Sequence, residues 1–156
     1  MDGWSRPRPG PGALGLQCEP RGRVHRAELP AQLGNWALLD SGWPGESGTG
    51  AVYTNPCQQG NDHQTWNIIY LYHADWDVVR IQNKATELCL FSYGLGMYAG
   101  QCNASAYGAW YGQGSGWGKV RLMNYETINC LDSNYSGSVY GHACNNGGYQ
   151  LWKLGY

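Results

Sequence analysis

Two aspartates of this chain, Asp40 and Asp132, occupy the same place in a repeated pattern, and that recurrence limits the chemistry they can do. Catalysis usually demands an asymmetric arrangement, such as a nucleophile with its base or two carboxylates held at different pKa. Copies of one carboxylate in separate repeats are instead what duplicated binding sites look like. The four histidines, His25, His63, His73 and His142, have no metal-ligand spacing, and the six cysteines form no C-x-x-C pair. The sequence therefore predicts no enzyme, no metal centre and no cofactor.

The pattern that duplicates these residues is clearest near the C-terminus. Asn129 to Trp152 reads NCLDSNYSGSVYGHACNNGGYQLW, and Leu88 to Trp110 reads LCLFSYGLGMYAGQCNASAYGAW. Cys130 and Cys144 are 14 positions apart, Cys89 and Cys102 are 13 apart, and a tryptophan follows each second cysteine by eight. Upstream, Val79 to Asn83 aligns with Val120 to Asn124. A weaker copy starts at Ala37-Leu38-Leu39-Asp40 and ends at Trp66, with Leu38 where a cysteine would stand. The tryptophans Trp66, Trp110 and Trp152 step by 44 and 42 residues. That period, with several short apolar strands per unit, fits a propeller blade or a trefoil lobe, and three copies select the all-β trefoil.

Composition agrees. Of 156 residues 24 are Gly, 12 Tyr and 8 Trp, while charged residues make up 13%. This favours short strands joined by tight turns over helix. A net charge of -1 offers no general attraction for phosphate backbones or anionic bilayers, so nucleic acid and direct membrane insertion are poor fits. Residues 1–26, with Pro7, Pro9, Pro11 and Pro20 among glycines, read as a flexible tail or linker. Residues 27–156 read as one domain, with lobes at about 27–75, 76–116 and 117–156.

From about Leu33 onward the chain resembles the ricin B-chain-like lectin family. The likeness rests on the opening Cys130-Leu131-Asp132, the paired cysteines, and the Q-x-W closings Gln64-Thr65-Trp66 and Gln150-Leu151-Trp152. The third repeat looks most like the lectin modules of pierisin-like and mosquitocidal ADP-ribosylating toxins and of secreted glycosidases. The resemblance implies a β-trefoil that binds glycans of galactose or N-acetylgalactosamine type. It also implies an extracellular setting, as the targeting part of a toxin or enzyme with a fused or associated catalytic domain. In such a setting Cys89–Cys102 and Cys130–Cys144 are expected as bridges, each worth about 3 kcal/mol by loop-closure entropy. Cys57, without an in-lobe partner, is either joined to Cys18 or free.

Trp66, Trp110 and Trp152 are expected in a shared core. By the family's pattern the sugar site in the third lobe is Asp132 with His142 as platform and Asn145 and Gln150 completing a polar fence. Tyr140 and Tyr149 are the alternative platforms. The glutamine is expected to brace a sugar-contacting side chain rather than touch sugar itself. The first lobe offers a weaker set, Asp40 and Gln64 with Asn55 in the platform position, two residues before Cys57 as His142 is before Cys144, beside a longer loop carrying Trp43. The second, with Phe91, Gly100 and Gly108 at these places, is not expected to bind in this mode. A trefoil devoted to protein contact, such as a protease inhibitor, is the other reading, because a fold by itself does not decide function.

Overall fold

Stretches such as Asp77-Val-Val-Arg-Ile-Gln-Asn, in which the alternate residues Asp77, Val79, Ile81 and Asn83 are all buried, form strands of period two. The computed structural model describes residues 24–26 and 37–154 of the chain. Among the described residues twelve strands follow in order. They are β1 (Val24–Arg26), β2 (Ala37–Ser41), β3 (Gly50–Pro56), β4 (Trp66–His73), β5 (Asp77–Asn83) and β6 (Cys89–Tyr93). Then come β7 (Gly96–Gly100), β8 (Trp110–Gly114), β9 (Val120–Asn124), β10 (Cys130–Ser133), β11 (Val139–His142) and β12 (Trp152–Leu154). One 3₁₀ turn precedes each of β4, β8 and β12. The chain thus repeats one unit three times: a strand, a hairpin, a 3₁₀ turn and a strand.

The outer strands are linked in the sequence β1–β12–β9–β8–β5–β4, all antiparallel. The hairpins β2–β3, β6–β7 and β10–β11 cap them. These hairpins meet one another in turn. Gly50 pairs with Ala99, Gly141 donates its N–H to the Leu95 carbonyl, and Thr54 donates to the Gly137 carbonyl. Gly137 is required there, because at its φ of 91° a Cβ would stand 2.8 Å from the Thr54 carbonyl oxygen. This is the β-trefoil. Its first strand lies at Val24–Arg26, inside the segment read from sequence as tail, because those backbones pair with β12 and β2. The rest of the expected tail lies outside the described residues.

Trp66, Trp110 and Trp152 are 1%, 0% and 0% exposed and join one apolar cluster with Leu39, Leu90 and Leu131. Each indole N–H donates to the carbonyl of one of those leucines, Trp66 to Leu39, Trp110 to Leu90 and Trp152 to Leu131, at 2.9 Å in every lobe. The leucine in question immediately precedes Asp40, Phe91 or Asp132. The core tryptophan therefore pins the backbone that carries each lobe's candidate site residue. Cys89–Cys102 and Cys130–Cys144 are bridged. Cys57 is also disulfide-bonded, and Cys18 lies outside the described residues.

A second repeated device went unread in the sequence, although Asn83-x-x-Thr86 and Asn124-x-x-Thr127 carry its signal. The Oδ1 of Asn83 accepts from the N–H groups of Ala85 and Thr86 and from the Thr86 hydroxyl, and Asn124 does the same with Glu126 and Thr127. Each turn ends in a left-handed residue, Glu87 (φ 59°) and Ile128 (φ 60°). A β-branched side chain pays for that conformation in steric strain, and Ile128 is 66% exposed, so it recovers little by packing. Ile128→Gly is expected to raise stability by about 1 kcal/mol. An unchanged or lower melting temperature would contradict this.

Candidate functional site

Each hairpin presents one residue of its first strand to the face that also carries the following 3₁₀ turn. In the third lobe that residue is Asp132, 6% exposed. Its Oδ2 accepts from Gln150 Nε2 at 2.9 Å and its Oδ1 from the Ser133 N–H at 2.7 Å. Gln150 is fully buried, and its remaining groups are also spent: Nε2 donates to the Ala143 carbonyl and Oε1 accepts from the Asn145 N–H. The carboxamide thus stands behind the carboxylate and orients it. A carboxylate has about four lone-pair positions, so two of those on Asp132 stay available for hydroxyl donors.

The first lobe repeats the arrangement. Gln64 Nε2 donates to Asp40 Oδ2 at 3.1 Å and to the Pro56 carbonyl, while its Oε1 accepts from the Gln58 N–H. Asp40 is 2% exposed, and the Asn55 amide also donates to its Oδ2, at 3.2 Å. Asn55, expected as a platform, is therefore spent on the carboxylate.

The hairpin registers decide which ring faces each carboxylate. Asp132 pairs with Tyr140 and Asp40 with Tyr53, whereas His142 pairs with Cys130 and Asn55 with Leu38. Directly opposed residues of an antiparallel pair bring their side chains within about 5.5 Å at Cβ, so the two tyrosines are the facing rings. His142 lies exposed one step along, with its Nδ1 at 3.1 Å from the Ala143 carbonyl oxygen. Tyr140 was one of the alternatives read from sequence, and Tyr53 was missed. The side chain of Asn145 accepts from the Gly147 N–H and shapes its own turn, so its contribution to the Asp132 site runs through its backbone.

Electrostatics follow from this placement. Burial, and next the Asp132 carboxylate, raise the Tyr140 phenol above its ordinary value of 10.0. Burial and then Asp40 do the same for Tyr53. A raised folded pKa means that the stability gained by keeping these phenols neutral is complete below pH 10.0 and is lost as pH climbs through their folded values. Asp132→Asn is expected to lower the Tyr140 pKa part of the way back, since burial, the larger cause, remains. Spectrophotometric phenolate titration of the variant against the parent checks this, and an unchanged or raised transition would refute it.

The second lobe has been rebuilt. Phe91 stands where the others have aspartate, 3% exposed and stacked on Tyr98 with centroids 5.5 Å apart and planes at 11°. Gly108 stands where they have glutamine, and a Cβ on it would lie 2.7 Å from the Phe91 ring. The ring fills the room that a carboxamide would need. Gly108→Ala is expected to cost about 1–3 kcal/mol by overpacking, read by chemical denaturation. A neutral result would show that Phe91 can move away.

One further feature occurs in all three lobes. A ring at or just beyond the end of the hairpin's first strand meets a ring from the 3₁₀ turn: Trp43 with His63 at 4.8 Å, Tyr93 with Tyr107 at 5.4 Å and Tyr135 with Tyr149 at 5.4 Å. Tyr149 thus belongs to this pair, and Tyr140 to the carboxylate. The hairpin members are 70%, 68% and 79% exposed. The turn members immediately precede Gln64, Gly108 and Gln150. They are held from the next lobe in two cases, as Asn83 donates to the His63 carbonyl and Asn124 to the Tyr107 carbonyl. Among the described residues no group of three or more His, Cys, Asp or Glu is placed to hold a metal ion.

No family model and no curated protein matches the sequence. Solved structures do match. A designed three-fold symmetric protein, ThreeFoil, superposes with a TM-score of 0.70 at 16% identity, over 86% of this chain and 96% of that one. A mosquitocidal holotoxin matches with a TM-score of 0.67 at 16% identity, over 85% of this chain and 16% of the toxin. The Polyporus squamosus lectin, solved with the epitope Neu5Aca2-6Galb1-4GlcNAc, matches with a TM-score of 0.63 at 16% identity, over 85% of this chain and 48% of the lectin. At such identities the likeness is one of fold.

Proposed function

We propose that the chain is a carbohydrate-binding module that grips glycans of galactose or N-acetylgalactosamine type, with the third lobe as the principal site and the first as a weaker one. The observation that carries this is the duplicated carboxylate held by a buried carboxamide, Asp132 by Gln150 and Asp40 by Gln64, each facing a tyrosine. A fixed charged acceptor takes paired ring hydroxyls, and the facing ring offers an apolar surface to the C–H side of the sugar. Asp132 ranks above Asp40 because no side chain like Asn55 covers it and it is more exposed, 6% against 2%. The lobes bind without turnover, as the carboxylates are repeats of one environment rather than a divided acid and base.

The bridged cysteines fit an oxidising, extracellular setting, and the partial coverage of the holotoxin and the lectin fits a module that targets a larger protein or an associated catalytic chain. A galactose-agarose column tests the proposal. Retention with elution by free lactose is expected. Passage through the column, with tight association to a protein such as a protease, would replace it with a protein-contact role.

A further inference from the structure

We propose that the second lobe is an additional saccharide subsite of different chemistry, one that takes the methyl-bearing, C–H-rich face of a deoxy sugar such as a fucoside. The inference rests on the carbohydrate-binding reading of the other two lobes. It starts from the ring pair. Tyr93 and Tyr107 occupy the positions of Trp43–His63 and Tyr135–Tyr149, whose turn members immediately precede the glutamines that brace the two carboxylates. Tyr93 is 68% exposed where its strand enters the hairpin turn and meets a second ring at 5.4 Å, so the lobe presents an open aromatic surface although it lacks the carboxylate.

The polar half has been exchanged, with compensation. Phe91 replaces the carboxylate and stacks on Tyr98, and Gly108 replaces the carboxamide and leaves 2.7 Å where a Cβ would meet the Phe91 ring. Such paired fitting fills the place of the carboxylate and carboxamide with a buried ring, Phe91 being 3% exposed, so the apolar surface this lobe offers a ligand is the Tyr93–Tyr107 pair. A fully hydroxylated hexose would give up water against this pair and find no charged acceptor in return. A sugar with a methyl group in place of a hydroxymethyl leaves one hydroxyl fewer to desolvate. It also buries a methyl group, worth about fourfold in affinity.

The test uses Asp40→Asn/Asp132→Asn, which silences the first and third lobes, with and without Tyr93→Ala, titrated by NMR with methyl fucoside and methyl galactoside. The double variant is expected to lose galactoside by more than about tenfold while keeping the parent's fucoside affinity within about twofold. Adding Tyr93→Ala should weaken fucoside binding by about fivefold to tenfold, and Tyr93→Phe should retain it. Because Tyr93 is largely exposed, both substitutions leave the core intact, and the melting temperature verifies that. Fucoside binding that vanishes with the two aspartates, or that survives Tyr93→Ala, overturns the inference. If the parent binds galactoside but no fucoside, the second-lobe subsite falls and the module reading stands. Fucoside binding that depends on Tyr93, without any galactoside binding, would overturn the reading of the first and third lobes instead. A parent that binds neither sugar sinks both.

Discussion

Replacing Trp110 with alanine is expected to lower the free energy of unfolding by about 3–5 kcal/mol. Its indole is 0% exposed and packs in one cluster with Trp66 and Trp152, so truncation opens a cavity that neighbours from three lobes would have to fill together. Close-packed interiors relax only partly. The change also removes the N–H that reaches the Leu90 carbonyl at 2.9 Å, leaving a buried acceptor without that donor. Urea unfolding followed by fluorescence measures the loss. Trp43→Ala is the control, since Trp43 is 70% exposed and its removal should cost less than about 0.5 kcal/mol. Equal effects at the two positions would mean that the core is not organised around its tryptophans. Trp110 is preferred to Trp152 because the latter also supports the backbone just before Asp132 and would mix stability with binding.

The second large effect is on binding. Asp132→Asn keeps the side-chain volume and can still accept from Gln150, but it replaces a charged acceptor by a neutral amide. Charge-assisted hydrogen bonds contribute about 1.5–3 kcal/mol, so affinity for galactose or lactose should fall by more than about tenfold in calorimetric titration. Asp40→Asn should cost less, because Asn55 already occupies part of its carboxylate. Phe91→Asp alone should create no third site of this kind. Gly108 offers no carboxamide to hold the new carboxylate, which would stand in a nearly closed position without its brace. A parent-like Asp132→Asn combined with an inactive Asp40→Asn would transfer the principal site to the first lobe.

The sequence alone determined what depends on residue type at a fixed spacing. Few side chains fill a trefoil core as an indole does, so Trp66, Trp110 and Trp152 at steps of 44 and 42 residues disclosed three lobes and their centre. Cysteines spaced alike in two repeats disclosed the bridges, and Q-x-W disclosed the carboxamides that stand behind Asp40 and Asp132. What it did not disclose depends on register and on neighbouring lobes. Counting back two residues from a cysteine singles out His142 and Asn55, but the ring facing a carboxylate is set by the hairpin pairing, which puts Tyr140 and Tyr53 there, while Asn55 reaches Asp40 as a hydrogen-bond donor. The meeting of Tyr93 with Tyr107, and of Phe91 with Gly108, joins a hairpin to a turn more than a dozen residues away. The hold of Asn83 on the His63 carbonyl joins one lobe to the next. Contacts of that kind leave little periodic trace, because each partner only has to fit the other, and folding alone brings the two together.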